Sequence, residues 1–200
     1  MLFTAPNQKY QLQKYSTDKL KYKLFNIHFM NKKEALARLA NQIKKDKKCP
    51  LSKTAKNAVP GEGSANAEIM FVGVAPGRME DITGKPFVGR AGKFLTTLLK
   101  QIGLKRKDVF ITSVEKFFPP GNRPPKPKEI KACKPYLIEQ LKIINPRIVV
   151  LLGKVAEKMK DEPILNNKKV IITAHPSAGM RFQKIGAKIK RDFQKLKALL

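Results

Sequence analysis

The stretch that decides the fold is GVAPGRMEDITGKPFVGRAGKFL, residues 73–95. The apolar run AEIMFV, residues 67–72, precedes it, and the helical pattern FLTTLLKQI begins at Phe94. The order is therefore strand, loop and helix, and in open α/β sheets such a loop lies at the carboxyl end of a strand, where ligands bind. Its glycines allow the backbone to approach a ligand closely. Loops longer than about 12–15 residues are usually functional or disordered, and the Phe and Val content favours a functional loop.

Further strands and helices alternate along the chain. Strands are predicted at four apolar runs, residues 68–72, 109–114, 148–152 and 170–173, and amphipathic helices separate them. This alternation predicts an α/β fold, a three-layer α/β/α sandwich around a central four-stranded parallel sheet.

The folded domain is predicted to span residues 30–200. Asn31 is a good helix N-cap, and Glu34 three residues later matches the pattern of a capping box. Residues 1–29 lack clear periodicity, and two interpretations stay open. They form an appended N-terminal basic arm, or the start codon is assigned too early.

Charge is the unusual feature of the composition. The chain has 42 Lys and Arg against 15 Asp and Glu, a net charge of +27. Such a surface attracts polyanions and favours nucleic-acid binding through counterion release. A lysine-biased proteome is the alternative explanation, because most of the basic residues are lysines.

Cysteine content and hydropathy restrict the class of protein. Two cysteines, Cys49 and Cys133, do not make a secreted disulfide framework. No apolar run approaches the roughly 20 residues needed to span a bilayer, and the N-terminus lacks a signal-peptide apolar segment. We expect a soluble, cytoplasmic protein with no membrane partner, and its size and basicity suit a monomer.

Three polar loops are expected to converge on one crevice, because the carboxyl ends of parallel strands meet at one edge of a sheet. These loops follow the first, second and fourth predicted strands. They carry Asp81, Phe87, Ser113, Asn122, His175, Ser177 and Arg181. An aromatic residue with polar neighbours, in a strongly basic protein, suits a flipped nucleobase that is held by stacking and read by hydrogen bonds.

Cleaving the bond between base and sugar requires stabilisation of a base anion and a sugar cation. His175 is the only histidine of the predicted domain and can donate a hydrogen bond to the anion. The Glu80 or Asp81 carboxylate can favour the cation or hold a water. Structural alternatives stay open: a solvated His175, a core position for Phe87 and helix-capping acids.

A series of motifs resembles a known family. In chain order these are CPLSKTAKNAVPGEGSANAEIMFVG, then APG with ED and GKPFVGRAGKFL, then PPGNRPP with EIKACKPYL, then INPRIVVLLGKVA, then HPS followed by an arginine. Together they resemble the uracil-DNA glycosylase superfamily, and within it the thermophile-type family 4, over about residues 30–200. The resemblance implies the α/β/α glycosylase fold with a short central parallel sheet.

The resemblance also implies roles for single residues. Phe87 would stack on the extruded base, with Gly73 giving backbone access, and His175 would stabilise the developing base anion. Ser177 and Arg181 would lie at the DNA backbone and wedge into the duplex.

The PPGNR loop, through Asn122 and Arg123, would support DNA binding. The expected partner is DNA that contains uracil or another damaged base, in single or double strands.

Two positions in the site depart from the family pattern. Val74 stands where the family usually has the glutamate of GEAPG, so backbone groups near Ala75 or the Asp81 carboxylate would place the water. Related family 5 enzymes also carry an apolar residue there. Ser113 stands where an asparagine reads uracil, and one hydroxyl offers fewer hydrogen bonds than an amide. Uracil readout is therefore weakened, or the base preference differs.

The family's iron–sulfur cluster also bears on this chain. The resemblance implies four cysteine ligands, of which the chain keeps Cys49 and Cys133. Asp46 and Phe117 occupy the other two positions, and Phe118 replaces a basic residue next to the third. Two thiols do not fill a four-cysteine site, so the sequence predicts no cluster, no metal and no cofactor, with Phe117 and Phe118 filling the vacated volume.

The function expected from these patterns is that of a DNA glycosylase. It would extrude a deaminated base, uracil first, and hydrolyse its N-glycosidic bond to start base-excision repair. Two alternatives stay open: a DNA-binding homologue with weakened catalysis, and a glycosylase for another damaged base such as hypoxanthine.

Overall fold

The computed structural model describes residues 31–200, which form a five-stranded sheet with helices on both faces. The predicted basic arm, residues 1–29, lies outside the described residues. The sheet order is β1-β3-β2-β4-β5, and all neighbouring strands are parallel except β1 and β3. The strands are β1 Glu62–Gly63, β2 Ile69–Gly73, β3 Phe110–Ser113, β4 Ile148–Leu152 and β5 Lys169–Thr173.

Seven α-helices lie within the described part of the chain. They are α1 Lys32–Lys44, α2 Arg78–Thr83, α3 Arg90–Gln101, α4 Pro127–Ile144, α5 Lys154–Glu157, α6 Pro176–Arg181 and α7 Gln183–Lys197. None of these helices is both long and apolar enough to cross a membrane. Helix α1 begins as predicted, because the Asn31 side chain accepts a hydrogen bond from the Glu34 amide (3.0 Å).

Two hydrophobic clusters make the sandwich. Alternate side chains of β2 point to opposite faces of the sheet. Ile69 and Phe71 pack with α3 and α7 on one face, whereas Met70 and Val72 pack with α4 on the other. All five residues of β2 are buried, as expected for a parallel strand covered on both faces. The predicted three-layer α/β/α sandwich is confirmed.

Strand β1 is one element that the sequence does not predict, and helix α2, which lies inside the predicted loop of residues 73–95, is another. The two residues of β1 pair antiparallel with β3, Gly63 opposite Phe110. Gly63 has φ +132°, and a Cβ there would lie 1.9 Å from the Val109 carbonyl oxygen, so only glycine fits this edge. Two residues are too short to show a strand period, so the predicted sheet has four strands and the observed one has five.

The carboxyl ends of β2, β3 and β5 lie at one edge of the sheet. The loops that follow these strands include α2, the 3₁₀ turn Pro120–Asn122 and the start of α6. The pairing of β2 and β3 continues past the strand ends, because the Val114 amide donates to Gly73 O and the Glu115 amide donates to Val74 O, both at 3.0 Å. This edge positions the site described next.

Candidate active site

A cavity of about 580 Å³ opens at this edge of the sheet. Its volume is within the range of about 300–1,000 Å³ that is usual for small-molecule sites. Ten of the residues singled out in the sequence line it: Val74, Ala75, Glu80, Phe87, Ser113, Asn122, Arg123, His175, Ser177 and Arg181. Gly73 and Asp81 lie outside its walls. The cavity therefore brings together most of the predicted site residues.

Phe87 forms one wall of the cavity in a rare backbone conformation. Its φ is +51°, and such left-handed non-glycine residues cost about 1–3 kcal/mol and persist only where the surroundings enforce them. The Arg106 guanidinium enforces it by donating to Pro86 O (2.8 Å) and Phe87 O (3.1 Å). A Cβ on Gly92 would lie 1.8 Å from Phe87 O. Phe87 is both a core residue and a cavity wall, so the two sequence interpretations hold together.

Arg106 is a positioning residue that the sequence analysis missed. Its fork of donors reaches back about twenty residues along the chain to the loop before α3. The only available signal was its residue type, since the chain uses few arginines among many lysines, and bidentate donation is the task for which lysine cannot substitute.

Gly73 and Glu80 shape the loop around Phe87. A Cβ on Gly73 would lie 2.6 Å from the Phe87 ring and 3.2 Å from Ser113 Oγ, so glycine lets the ring lie against the end of β2. The Glu80 carboxylate accepts from the amides of Val88 and Gly89, both at 2.8 Å. It also accepts from the Gly77 amide at 3.1 Å. Glu80 is the carboxylate that lines the cavity.

Asp81 points away from the cavity. Its Oδ1 accepts from the amides of Lys56 (2.9 Å) and Asn57 (3.2 Å), and Asn57 Nδ2 donates to its carbonyl (2.7 Å). Neighbouring helix residues point about 100° apart, so only one of the two acids can face the cavity. The structure does not bring Asp81 to the water-placing position expected from the sequence. Asp81 instead holds residues 56–57 against α2.

His175 lies opposite Phe87 and caps the N-terminus of α6. Its Nδ1 accepts from the Ser177 amide (3.2 Å) and lies 2.7 Å from Ser177 Oγ. Because a backbone amide only donates, Nδ1 is the acceptor and the neutral ring carries its proton on Nε2. Burial lowers the pKa of His175, an effect that the charge of Glu80 opposes only in part, so the neutral form dominates at neutral pH.

The Phe87 and His175 rings are neighbours, with centroids 5.8 Å apart and planes inclined by 33°. A planar ligand that stacks on the exposed side of Phe87 would therefore lie beside the imidazole. Ser113 Oγ is buried at the floor, and Val74 contributes an apolar wall where a carboxylate would be expected of the family.

The rim of the cavity is polar and basic, with one exposed aromatic. Asn122, Ser177 and Arg181 are exposed. Arg123 instead forms a bidentate ion pair with Glu129 (2.7 and 2.9 Å), and this pair lowers the pKa of Glu129 to about 2. Phe182, which the sequence analysis did not single out, lines the rim and is 56% exposed.

A buried lysine lies behind Ser113. Lys116 Nζ donates to Ser113 O (2.6 Å), Thr112 Oγ1 (2.7 Å) and Gln140 Oε1 (2.8 Å). Burial lowers its pKa to about 7. Its hydrogen bond holds the Ser113 carbonyl in place from the side away from the cavity. The sequence signal for it was a charged pair inside the apolar run VFITSVEKFF, residues 109–118.

Cys49, Glu115 and Cys133 meet in the interior, away from the cavity walls. We call them the cysteine–carboxylate triad. All three are fully buried, and their ligand atoms lie within 4.8 Å of one another. Glu115 Oε1 is 2.7 Å from Cys133 Sγ and 3.4 Å from Cys49 Sγ. Two thiols and a carboxylate are donors that suit iron or zinc.

The prediction of no metal and no cofactor is therefore wrong. It rested on Asp46 and Phe117 at two expected ligand positions. Asp46 accepts from the Lys48 and Cys49 amides (2.8 and 3.3 Å), and Phe117 packs with the two cysteines in a hydrophobic cluster. Glu115, two residues before Phe117, supplies the third donor, because the fold turns its side chain toward the two thiols.

Comparison with known proteins adds to this geometry. The family model described as "Uracil DNA glycosylase superfamily" matches residues 60–199. The type-4 uracil-DNA glycosylase of Saccharolobus solfataricus is 44% identical over 183 residues, which are 81% of this chain and 85% of that protein.

Two further relatives carry the same description. The type-4 uracil-DNA glycosylase of Archaeoglobus fulgidus is 40% identical over 183 residues, 82% of this chain and 92% of that protein. That of Thermotoga maritima is 43% identical over 164 residues, 75% of this chain and 85% of that protein. These matches to type-4 relatives, like the triad, stand against the expectation of no cofactor.

Proposed function

Because the chain belongs to the uracil DNA glycosylase superfamily, it is a DNA glycosylase, an enzyme that hydrolyses N-glycosyl bonds, and we propose that it removes uracil from DNA to start base-excision repair. The observation that carries the proposal is the position of Phe87 next to a neutral His175 in the wall of a cavity of about 580 Å³. This volume accommodates one extruded nucleobase with its sugar.

Binding begins with extrusion of the base into the cavity. The base stacks on Phe87, a contact that contributes about 1–3 kcal/mol per base in proteins that hold single nucleotides this way. The Phe87 backbone is fixed before the base arrives, because Arg106 donates to its carbonyl and Gly92 leaves room for that carbonyl. Ser113 Oγ offers one hydrogen bond to the edge of the base, which supports a modest preference for uracil over other bases with the same acceptor pattern.

Cleavage breaks the bond between the base nitrogen and the sugar carbon C1′. The electron pair stays on the base, whose negative charge spreads to a carbonyl oxygen, while the sugar becomes an oxocarbenium cation. His175 Nε2–H donates a hydrogen bond to that oxygen, because Nδ1 is already occupied by the Ser177 amide. Removing one such preorganised donor typically lowers a rate by about 10²–10³-fold.

A water then attacks C1′ and loses a proton that ends on the base anion, so a neutral base and a neutral abasic sugar leave. We assign the position of this water to the backbone at Ala75, since Val74 carries no carboxylate and Asp81 faces elsewhere. Glu80 has both carboxylate oxygens committed to backbone amides, so it contributes a fixed negative charge that favours the sugar cation.

The rim binds the DNA strand. Asn122, Ser177 and Arg181 are exposed at the mouth, and the net charge of +27 supports binding to the phosphates. Phe182 is suited to wedge between bases, as apolar side chains do in proteins that unstack DNA. Arg123 stabilises the rim through its ion pair with Glu129. Contact with DNA is a secondary role for Arg123.

The test is excision from labelled oligonucleotides that contain uracil, hypoxanthine or xanthine, in single and double strands, followed by alkaline cleavage at abasic sites. We expect uracil to be released and the release to fall in His175→Ala. Release of hypoxanthine but not uracil would identify hypoxanthine as the substrate base and contradict the proposal of uracil. Salt-sensitive binding with no release of any base would favour the second candidate, a DNA-binding homologue, which the apolar Val74 wall supports.

A further inference from the structure

We propose that Cys49, Glu115 and Cys133 bind a thiophilic transition metal, with the Glu115 carboxylate as the third protein ligand. The inference stands apart from the proposed function, because the triad does not line the cavity. It concerns which side chains of this chain hold metal.

The fold brings three distant segments to one point. Cys49 precedes the 3₁₀ turn Pro50–Lys53, Glu115 follows β3, and Cys133 lies in α4. All three are 0% exposed. Zinc or iron bonds of about 2.0–2.3 Å to tetrahedral ligands separate neighbouring ligand atoms by about 3.3–3.8 Å. The observed Glu115–Cys49 separation of 3.4 Å is in that range, and the Glu115–Cys133 separation of 2.7 Å reaches it by a side-chain shift of about 1 Å.

The unpaired oxygen of Glu115, Oε2, gives independent evidence for a bound cation. Oε1 interacts with both thiols and accepts from the amides of Lys116 (2.9 Å) and Phe117 (3.2 Å). Within residues 31–200, Oε2 is the only buried side-chain nitrogen or oxygen without a hydrogen-bond partner. Leaving such an atom unsatisfied costs about 1–3 kcal/mol, and more for a charged group. A cation next to the carboxylate removes that cost.

Backbone donors already surround the ligand atoms. The Lys116 amide donates to Cys133 Sγ at 3.4 Å as well as to Glu115. Groups that hydrogen-bond to ligands orient them and tune the metal, and their loss usually lowers metal affinity by about 10–100-fold. The site thus has three donors, a supporting layer of amides and no access to bulk water.

The ligand set also bears on the family's cluster. The four-cysteine pattern implied by the resemblance is not present, since the triad offers two cysteine sulfurs and one carboxylate. Three donors within 4.8 Å of one another suit a single iron or zinc ion. The shared chemistry is a thiophilic metal held through Glu115.

Metal binding would tie together three elements around the cavity floor. Glu115 is joined through its amide to Val74 O, and Lys116 through its ammonium to Ser113 O. A bound metal would therefore stabilise the structure, because it would crosslink the segment after α1, the end of β3 and helix α4.

The experiment begins with the full-length chain purified anaerobically under reducing conditions. Metal content is measured by mass spectrometry, together with acid-labile sulfide. We expect stoichiometric iron or zinc. Iron with sulfide identifies a cluster, and iron or zinc without sulfide identifies a single ion. Wild-type protein that binds no metal as purified, and none on titration with Fe²⁺ or Zn²⁺, would overturn the proposal.

Substitutions then test Glu115 itself. Glu115→Gln keeps the shape but removes the anionic oxygen, and we expect at least about a tenfold loss of metal affinity. Glu115→Cys supplies a thiolate and is expected to retain metal. Glu129→Gln is the matched control, a buried glutamate outside the triad that pairs with Arg123; it should retain metal. Glu115→Gln with wild-type affinity would overturn the assignment of Glu115, as would loss of metal in Glu129→Gln equal to that in Glu115→Gln.

A measurement on the wild-type chain covers the case in which a variant fails to fold. Metal is stripped with a chelator, and Co²⁺ is titrated in while the thiolate-to-cobalt charge-transfer absorption and the thermal melting temperature are followed. We expect the absorption to saturate at a fixed stoichiometry and the melting temperature to rise with it. Absence of both changes would contradict metal binding by the two thiols.

Discussion

The cavity and the cysteine–carboxylate triad are organised in opposite ways, although they use residues only two positions apart, Ser113 in the cavity and Glu115 in the triad. In the cavity, hydrogen bonds within the protein already fix the geometry. The Ser177 amide occupies His175 Nδ1, which leaves Nε2–H to donate to a ligand. In the triad, side chains converge on one another and leave Glu115 Oε2 without a partner. The first region is complete before its substrate arrives, whereas the second becomes complete only with a cation.

The largest expected effect breaks the cavity side of this comparison. His175→Ala removes the Nε2–H donor, so excision of uracil should fall by about 10²–10³-fold, while affinity for the DNA duplex stays within about twofold. Single-turnover excision and fluorescence anisotropy measure the two quantities. His28→Ala is the matched control, the other histidine of the chain. Equal loss of binding and excision would argue against a role for His175 in the bond-breaking step.

The second prediction concerns removal of metal from the triad. A ligand present at 100 times its Kd stabilises the folded state by about 2.7 kcal/mol, and each kcal/mol shifts the melting temperature of a chain of this size by about 2–4 °C. Chelation should therefore lower the melting temperature by about 5–10 °C. Excision at 25 °C should stay within about twofold of the untreated protein. Loss of excision in a fully folded, metal-free sample would join the two regions functionally.

The third prediction tests how the stacking wall is held. Arg106→Lys keeps the charge but loses the fork to Pro86 O and Phe87 O. Hydrogen bonds from charged groups contribute about 1.5–3 kcal/mol, so we expect excision to fall by about tenfold or more. The loss should appear chiefly in KM for uracil-containing DNA, because the stacking surface is displaced.

Arg147→Lys is the control for Arg106. Arg147 also donates to a backbone carbonyl, that of Leu199 at 2.8 Å, but far from the cavity. It should leave excision unchanged. If both substitutions reduce excision equally, the effect of Arg106 is general destabilisation.

The smallest expected effect is a pH dependence of stability at the rim. The Arg123 guanidinium lowers the pKa of Glu129 from its ordinary value of 4.5 to about 2. The unfolded chain binds this proton more readily, so the contribution is present above pH 4.5 and is lost as the pH falls toward 2. Urea unfolding between pH 5 and 2.5 should show a shallower loss of stability for Glu129→Gln than for wild type. Glu139→Gln, on the surface, should follow the wild-type curve.

Much of the cavity was predictable because its residues follow strand ends. Phe87 lies in the loop after the first predicted strand, Ser113 at the end of the second and His175 just past the fourth, and parallel strands bring such positions together. The choice between Glu80 and Asp81 was not predictable, because both are acidic and adjacent, and helix direction alone decides which faces the cavity. Arg106 was not predictable either, since its partners are backbone carbonyls that carry no sequence signature.

The triad shows the opposite limit. Counting cysteines at expected positions led to the prediction of no metal, because Glu115 occupies none of those positions. Its membership depends on how the chain turns after β3, where the Glu115 amide pairs with Val74 O. A buried acid and lysine inside an apolar run were the only hint, and a run of that kind does not reveal which side chain meets which.

The sequence by itself determined the layered α/β architecture, the strand-end location of the site and the basic character of the surface. These follow from local periodicity and composition, which each segment carries alone. Only the tertiary structure decided the positive φ of Phe87, the proton position on His175 and the convergence of Cys49, Glu115 and Cys133. Each of these depends on atoms from segments far apart in the chain, whose distances are set when the layers pack together.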